Sequence, residues 1–224
     1  NLTVVYDGVL EGRKVYGNIV KYMKLALSQD FGDVFSIMIS SICLPFLPLL
    51  PIQMLIQDFI VEISQIGIPY DNVDKEFLIK PRKWDTKDLS KFMRIFGIIS
   101  SITDVCAFLI FWYIFKYNSF DKQSYFQTAW FVECIISETL IIYYLRTNKL
   151  TFAESNPSKI LVGLSLITIG VTILVPILLS MIEGFNFVIL PLKYYLYVIG
   201  LAFLYAIIVR IVKKIYIEKY HEWL

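Results

Sequence analysis

Four carboxylates sit in two short, otherwise apolar stretches: Asp30 and Asp33 in SQDFGDVF (28–35), and Asp58 and Glu62 in LIQDFIVEIS (55–64). Spacings of three and four residues put each pair on one face of a helix. Oxygen ligands converging from two such faces are what a hard cation takes. An ionised Asp at the centre of a membrane helix costs roughly 2.5–3.5 kcal/mol even on the lenient insertion scale. Acids in that setting are therefore protonated, paired or bound to cations, and neither stretch carries a Lys or Arg to neutralise them. With no Cys or His close by in sequence, the set points to Mg²⁺, Ca²⁺, Na⁺ or H⁺ over zinc or copper. The competing role is structural, with the acids hydrogen-bonded inside a bundle as polar glue. Asp104, Glu133 and Glu138 lie in later apolar stretches; Glu133 shares a helix face with Ser137, and bundle hydrogen bonding is the expected role of these three.

The rest of the chain is equally apolar. Of 224 residues 57% are hydrophobic and only 18% charged, and the mean hydropathy is +0.64, which places it outside ordinary soluble domains and in the polytopic membrane class. Cys43, Cys106 and Cys134 stand singly in apolar surroundings and read as small buried hydrophobes. His221 has no ligand partner near it in sequence. The net charge of +2 is small, and nothing in it points to nucleic acid. The chain opens on NLTVVYDG without Met or a secretory signal, as a piece of a longer protein would.

Six apolar segments can be drawn, at 25–45, 51–69, 92–115, 124–145, 159–182 and 187–209, each near the ~20 residues that cross a bilayer. The fold expected is an all-α, polytopic six-helix membrane bundle. Between the first two segments LPFLPLLP (44–51) makes a tight proline turn, so these helices should be antiparallel neighbours. Counting inward from that turn at 1.5 Å per residue puts Asp33 and Asp30 about 18 and 22 Å deep, and Asp58 and Glu62 about 10 and 16 Å deep. Ser64 and Gln65 fall at about 20 Å, so one shared site is geometrically open, with Gly32 permitting close helix approach. Nothing stops the first helix between Glu11 and Pro45, so its first third, with Arg13, Lys14, Lys21 and Lys24, should project as a cytoplasmic stalk. Eighteen of the 21 Lys and Arg fall at the joins on one side and three (Lys116, Lys122, Lys193) on the other, which puts both termini in the cytoplasm. Trp112, Trp130 and the tyrosines fit interfacial belts or plain packing.

These segments resemble a known family. EGRKVYGNIVKYMK running into SQDFGDVF, the proline turn, and PIQMLIQDFIVEISQIGIPYDNVD are similar to the fifth and sixth membrane helices of P-type cation-transporting ATPases. IPYDNVD, KPRKWD, FMRIFGIISSITD and FQTAWFVECIISETLIIYYLRT resemble the bacterial magnesium-transporting branch. The resemblance implies helices five to ten of ten, with 1–24 as the end of the phosphorylation domain and stalk, and 25–224 as the C-terminal transmembrane domain. It implies Mg²⁺ as the transported ion and a multi-pass place in the inner (plasma) membrane. The partners would be the lipid bilayer and the pump's own N-terminal domains. ATP would act only through those domains, because the phosphorylation and hinge motifs are absent from these residues. Carried over by position, Asp30 and Asp33 stand where calcium pumps have Asn and Glu ligands. Asp58 and Glu62 match an Asn and an Asp ligand place, and Val61 replaces a polar one. The magnesium branch tends to carry Asn at some of these places, so this pocket is unusually acidic. Rival readings are a calcium or proton pump, or a non-catalytic channel or assembly domain.

Overall fold

The computed structural model describes residues 2–83, 85–220 and Trp223; His221 and Trp84 lie outside the described residues. Regular structure among the described residues is helical, apart from one isolated bridge between Thr151 and Ser155. The elements are α1 (Leu2–Cys43), α2 (Pro51–Gln65), the short α3 (Lys75–Ile79), α4 (Thr86–Leu109), α5 (Gln123–Leu145), α6 (Lys159–Leu179) and α7 (Leu192–Tyr220). A wider π-helical turn, Ile110–Ile114, extends α4.

Four of these stretches are long and apolar enough to cross a membrane: Thr86–Ile114, Phe120–Leu145, Lys159–Leu179 and Leu192–Tyr220. They account for the last four of the six predicted spans. Helix α2 has 15 residues, about 22 Å at the α-helical rise and short of a ~30 Å hydrocarbon core. Helix α1 has 42 residues, about 63 Å, and is unbroken across residue 24. It begins at Leu2 rather than Glu11; Gly8 and Gly12 lower helix propensity but neither ends the hydrogen-bond ladder as proline does. The proline turn forms as expected, with α1 ending at Cys43 and Pro51 opening α2. Proline is tolerated there because a first-turn residue needs no N–H partner.

Helix α5 is the centre of the bundle. From Phe126 to Leu145 it is buried on nearly every side, and it packs against α6, α7 and α2. Trp130 is buried in this core, edge-on to Phe108 at 5.0 Å, so it packs and does not belong to an interfacial belt. Helices α6 and α7 are apolar on their outer faces as well: Leu166, Leu174, Leu178, Phe203, Ile207 and Ile211 are all exposed. A helix that is hydrophobic all round needs an apolar solvent on its free side.

Helices α1 and α2 do not pack main chain to main chain. Helix α1 lies along α4, while α2 lies against α6 and α5. The contact with α4 uses Gly32 and Gly97. A Cβ on Gly97 would sit 2.8 Å from Phe31 Cδ1 and 2.9 Å from the Ser28 carbonyl oxygen, and one on Gly32 would sit 2.9 Å from Ser100 Cβ. Ser101 Oγ fixes the crossing by donating to the Gly32 carbonyl at 2.8 Å. The close approach expected of Gly32 is thus made to α4. Helices α1 and α2 meet through side chains instead, and the space between them remains open.

Candidate metal centre

The helix faces predicted from spacing line that space. Asp30, Asp33, Asp58 and Glu62 all border one cavity of about 250 Å³, together with Tyr22, Gln29, Gln65 and Glu138. Gln57 Nε2 donates to Asp33 Oδ2 at 3.0 Å, and Gln65 Nε2 donates to Gln29 Oε1 at 2.9 Å. Residues 33 and 29 of α1 thus face 57 and 65 of α2, which is antiparallel pairing. Asp30, Asp58 and Glu62 lie on the open side of the cavity and are exposed, whereas Asp33 is half-buried.

These bonds can be set against the depth count. Gln29 and Gln65 each lie fourteen residues from the turn, in the register that a count from one boundary gives. The Asp33–Gln57 bond joins a residue ten before the end of α1 to one six after the start of α2, so it runs diagonally across about 6 Å of helix.

One correction concerns the thiols. Cys134 Sγ lies 3.5 Å from Asp33 Oδ1 and 3.8 Å from Oδ2, so the oxygen-only surroundings expected of the acids are not what α5 supplies. Ligand atoms of Asp33, Cys134 and Glu138 all fall within 4.8 Å of one another. Cys134 is buried, Cys106 half-buried and Cys43 exposed. The i,i+4 spacing of Cys134 and Glu138 was present in the sequence as a signal. What was missing was any local sign that this face of α5 turns toward Asp33.

The other two acids lie deeper. Asp104 and Glu133 are buried, and Ser36 Oγ donates to Asp104 Oδ2 at 2.5 Å. Asp104 thus makes the kind of hydrogen bond across the bundle that its position suggested, whereas Glu133 Oε2 is buried without a hydrogen-bond partner among the described residues. Gln29 Nε2 donates to the main-chain carbonyl of Glu138 at 2.9 Å, tying α1 to α5 beside the cavity. A larger apolar cleft of about 460 Å³ runs between α5, α6 and α7. None of these acids lines it.

At one end of the bundle, loops and helices are joined by buried charge. Arg146, which follows α5, holds Asp71 with Nε to Oδ2 at 2.7 Å and Nη2 to Oδ1 at 3.1 Å. Lys21 Nζ of α1 reaches Asp71 Oδ2 at 2.9 Å, and the Ser158 amide donates to Oδ1 at 3.0 Å. Burial pushes the Asp71 carboxyl up, but Lys21 and Arg146 outweigh it and hold the group below the usual carboxylate range. Burial in turn lowers Lys21 from the ordinary lysine value, with Asp71 working against the shift. Beside this pair, Asp74 accepts from Thr147 and Ser155 at 2.5 and 2.8 Å. Asn18 donates to the carbonyls of Pro69 and Asp71 at 2.8 and 2.9 Å, and Arg13 donates to those of Leu78 and Ile79 at 2.7 and 3.0 Å. Lys213 Nζ closes the group by donating to the carbonyls of Tyr144 and Thr147. The charged part of α1 is thereby fastened to the segment between α2 and α4.

Comparison with known proteins agrees with this arrangement. A family profile described as "Cation transporting ATPase, C-terminus" matches residues 46–215. The chain is 39% identical over its whole length to the "Magnesium-transporting ATPase, P-type 1" of Salmonella typhimurium (strain LT2), covering 24% of that protein. It is 39% identical over 98% of its length to the protein of the same name from Escherichia coli (strain K12), again covering 24%. A "Calcium-transporting ATPase" of Bacillus subtilis (strain 168) is 20% identical over 69% of the chain and is matched over 18% of its own length. The chain thus spans about a quarter of the length of the magnesium-transporting relatives. It belongs to the cation-transporting ATPases, corresponds to their C-terminal region, and is similar throughout to the magnesium-transporting P-type members.

Proposed function

We propose that this chain is the C-terminal transmembrane part of a P-type ATPase that carries Mg²⁺ into the cytoplasm, with Asp30, Asp33, Asp58 and Glu62 supplying most of the intramembrane cation site. In this reading α1 and α2 complete six spans with the four apolar helices. Residues 1–24 form a cytoplasmic stalk at the end of the phosphorylation domain, and 25–224 form the transmembrane domain. The stalk continues the first span, both termini face the cytoplasm, and the membrane is the inner one. The observation that carries the proposal is the cavity itself: all four acids, drawn from two helices, border one space of about 250 Å³. Carboxylates with room for retained water are a normal Mg²⁺ environment, since that ion gives up its waters reluctantly.

The chain supplies binding and coupling. Phosphoryl transfer to a carboxylate would take place in the remainder of the protein. A conformational change there would move the charged part of α1, and α1 carries Asp30 and Asp33 on the same unbroken helix. Because the α1–α2 gap is bridged by side chains, a shift of α1 together with α4, against which it is packed, changes the cavity without breaking a packed α1–α2 seam. The open side of the cavity, with Asp30, Asp58 and Glu62 exposed, suits closure by helices of the rest of the pump.

The test is transport by the full-length protein. Its expression in cells that lack other Mg²⁺ uptake should restore growth in limiting Mg²⁺, and proteoliposomes should move Mg²⁺ toward the side that receives ATP. ATP-driven accumulation of Ca²⁺ or protons with no Mg²⁺ movement would overturn the choice of ion. The topology has its own readout. Thiol reagents added outside sealed cells should label single cysteines placed at 118–122 and leave one at position 78 unlabelled, since the eighteen-to-three bias puts residue 78 inside. Labelling at 78 would reverse the orientation.

A further inference from the structure

Behind the carboxylates of the cavity lies a group of atoms of different chemistry. Cys134 Sγ approaches both oxygens of Asp33, at 3.5 and 3.8 Å, and Glu138 completes a triad whose ligand atoms lie within 4.8 Å of one another. Cys134 and Glu138 are 1% and 5% exposed. Gln57, 4% exposed, lays its amide against this triad, with Nε2 donating to Asp33 Oδ2 at 3.0 Å and to Cys134 Sγ at 3.2 Å. Its other polar atom, Oε1, is buried and has no hydrogen-bond partner among the described residues. A buried carbonyl oxygen without a partner is rare in a native fold and costs about 1–3 kcal/mol. Half a turn of the amide, which exchanges two groups of similar size, presents Oε1 to the same centre.

The donor set is then one thiolate, two carboxylates and one amide oxygen. For a Zn²⁺-sized ion with bonds of about 2.0 Å to oxygen and 2.3 Å to sulfur, ligand atoms stand roughly 3.3–4 Å apart around the metal. The triad needs only a small contraction to reach that size. Thiolate beside carboxylate selects a borderline or soft divalent ion, whereas Mg²⁺ takes oxygen alone. We infer that Asp33, Cys134, Glu138 and Gln57 form a second cation site, deeper than the Mg²⁺ ligands, that takes thiophilic divalent ions such as Zn²⁺, Cd²⁺ or Co²⁺. On binding, the Cys134 thiol gives its proton to water in the adjoining cavity and its sulfur joins the metal. The inhibitory consequence rests on the Mg²⁺ reading above: Asp33 belongs to both sets, so an ion held by Cys134 withdraws Asp33 from Mg²⁺ and blocks transport.

The experiment uses the full-length protein in detergent, freed of Mg²⁺ and titrated with Co²⁺. A near-ultraviolet sulfur-to-Co²⁺ charge-transfer band is expected in the wild type and in Cys106→Ser, and none attributable to this site in Cys134→Ser. Half-inhibition of the Mg²⁺-stimulated ATPase should need at least about tenfold more Cd²⁺ in Cys134→Ser than in the wild type, since even outer-sphere changes shift metal affinity 10–100-fold. Cys134→Ala, judged by the same band and a melting curve, replaces the serine variant if that one does not fold. A band that survives in Cys134→Ser, or that the wild type lacks, overturns the second site. The two readings separate cleanly. A Cys134-dependent band with Mg²⁺ half-saturation unmoved by Asp33→Asn or Glu62→Gln leaves the thiophilic site standing and removes the Mg²⁺ ligands. The reverse pattern does the opposite.

Discussion

Asp33→Asn and Glu62→Gln, made singly in the full-length protein, should each raise the Mg²⁺ concentration for half-maximal ATPase activity by about tenfold or more. Both substitutions keep side-chain volume and remove one charged oxygen ligand, and the affinity of oxygen sites follows ligand charge. Thermal stability should hold or rise. Asp33 accepts from Gln57, a hydrogen bond that the Asn oxygen can still accept, and a costly charge at depth is gone. Asp58→Asn should act less, because Asp58 lies a helical turn nearer the proline turn than Glu62 and so nearer the outer boundary of the membrane. If the acids were only polar glue, the pattern would invert, with expression and melting temperature falling while the surviving protein kept its Mg²⁺ response. Near-normal half-saturation in both variants would remove Asp33 and Glu62 from the site.

The second large effect is on folding. Replacing Arg146 by Met leaves Asp71, 0% exposed, with Lys21 as its only cationic partner among the described residues. Breaking a buried ion pair from one side costs about 3–5 kcal/mol. Arg146→Met should therefore lower the melting temperature of the detergent-solubilised protein markedly, and Asp71→Leu should lower it further, because it leaves both Lys21 and Arg146 buried without their shared carboxylate. The network also sets a direction in pH. Asp71 has its pKa depressed in the folded state, so its contribution is complete above the ordinary carboxylate range near pH 4 and is lost as pH falls through the depressed value. Wild type and Arg146→Met should converge in stability at acid pH. An Arg146→Met protein that melts with the wild type at neutral pH would show that the buried pair does not hold this end of the bundle.

What could be read from sequence were properties that depend on neighbours along the chain. Hydrophobicity over some twenty residues marks a span, three prolines in LPFLPLLP mark a turn, and i,i+3 and i,i+4 spacing places Asp30 with Asp33 and Asp58 with Glu62. Each obeys the period of a single helix. The helical class, the four apolar helices and the two acidic faces that line one cavity followed from these rules. So did the family, because the segments that carried the resemblance are local strings.

Only the tertiary structure decided which faces meet. Helix α1 spends Gly32 on α4, and α2 turns to α5 and α6, so the acids border a gap and not a packed seam. Cys134 is 101 positions from Asp33 and Arg146 is 75 from Asp71; no periodicity within a helix relates residues so far apart. Charge counting used Lys21 and Arg146 only to mark the cytoplasmic side, and a charge-bearing residue type is normally solvated. In the fold both are buried, since Asp71 offers each a partner that replaces water. Composition sets the cost of burying a charge, but the packing of α1, α5 and the segment after α2 determines whether that cost is met.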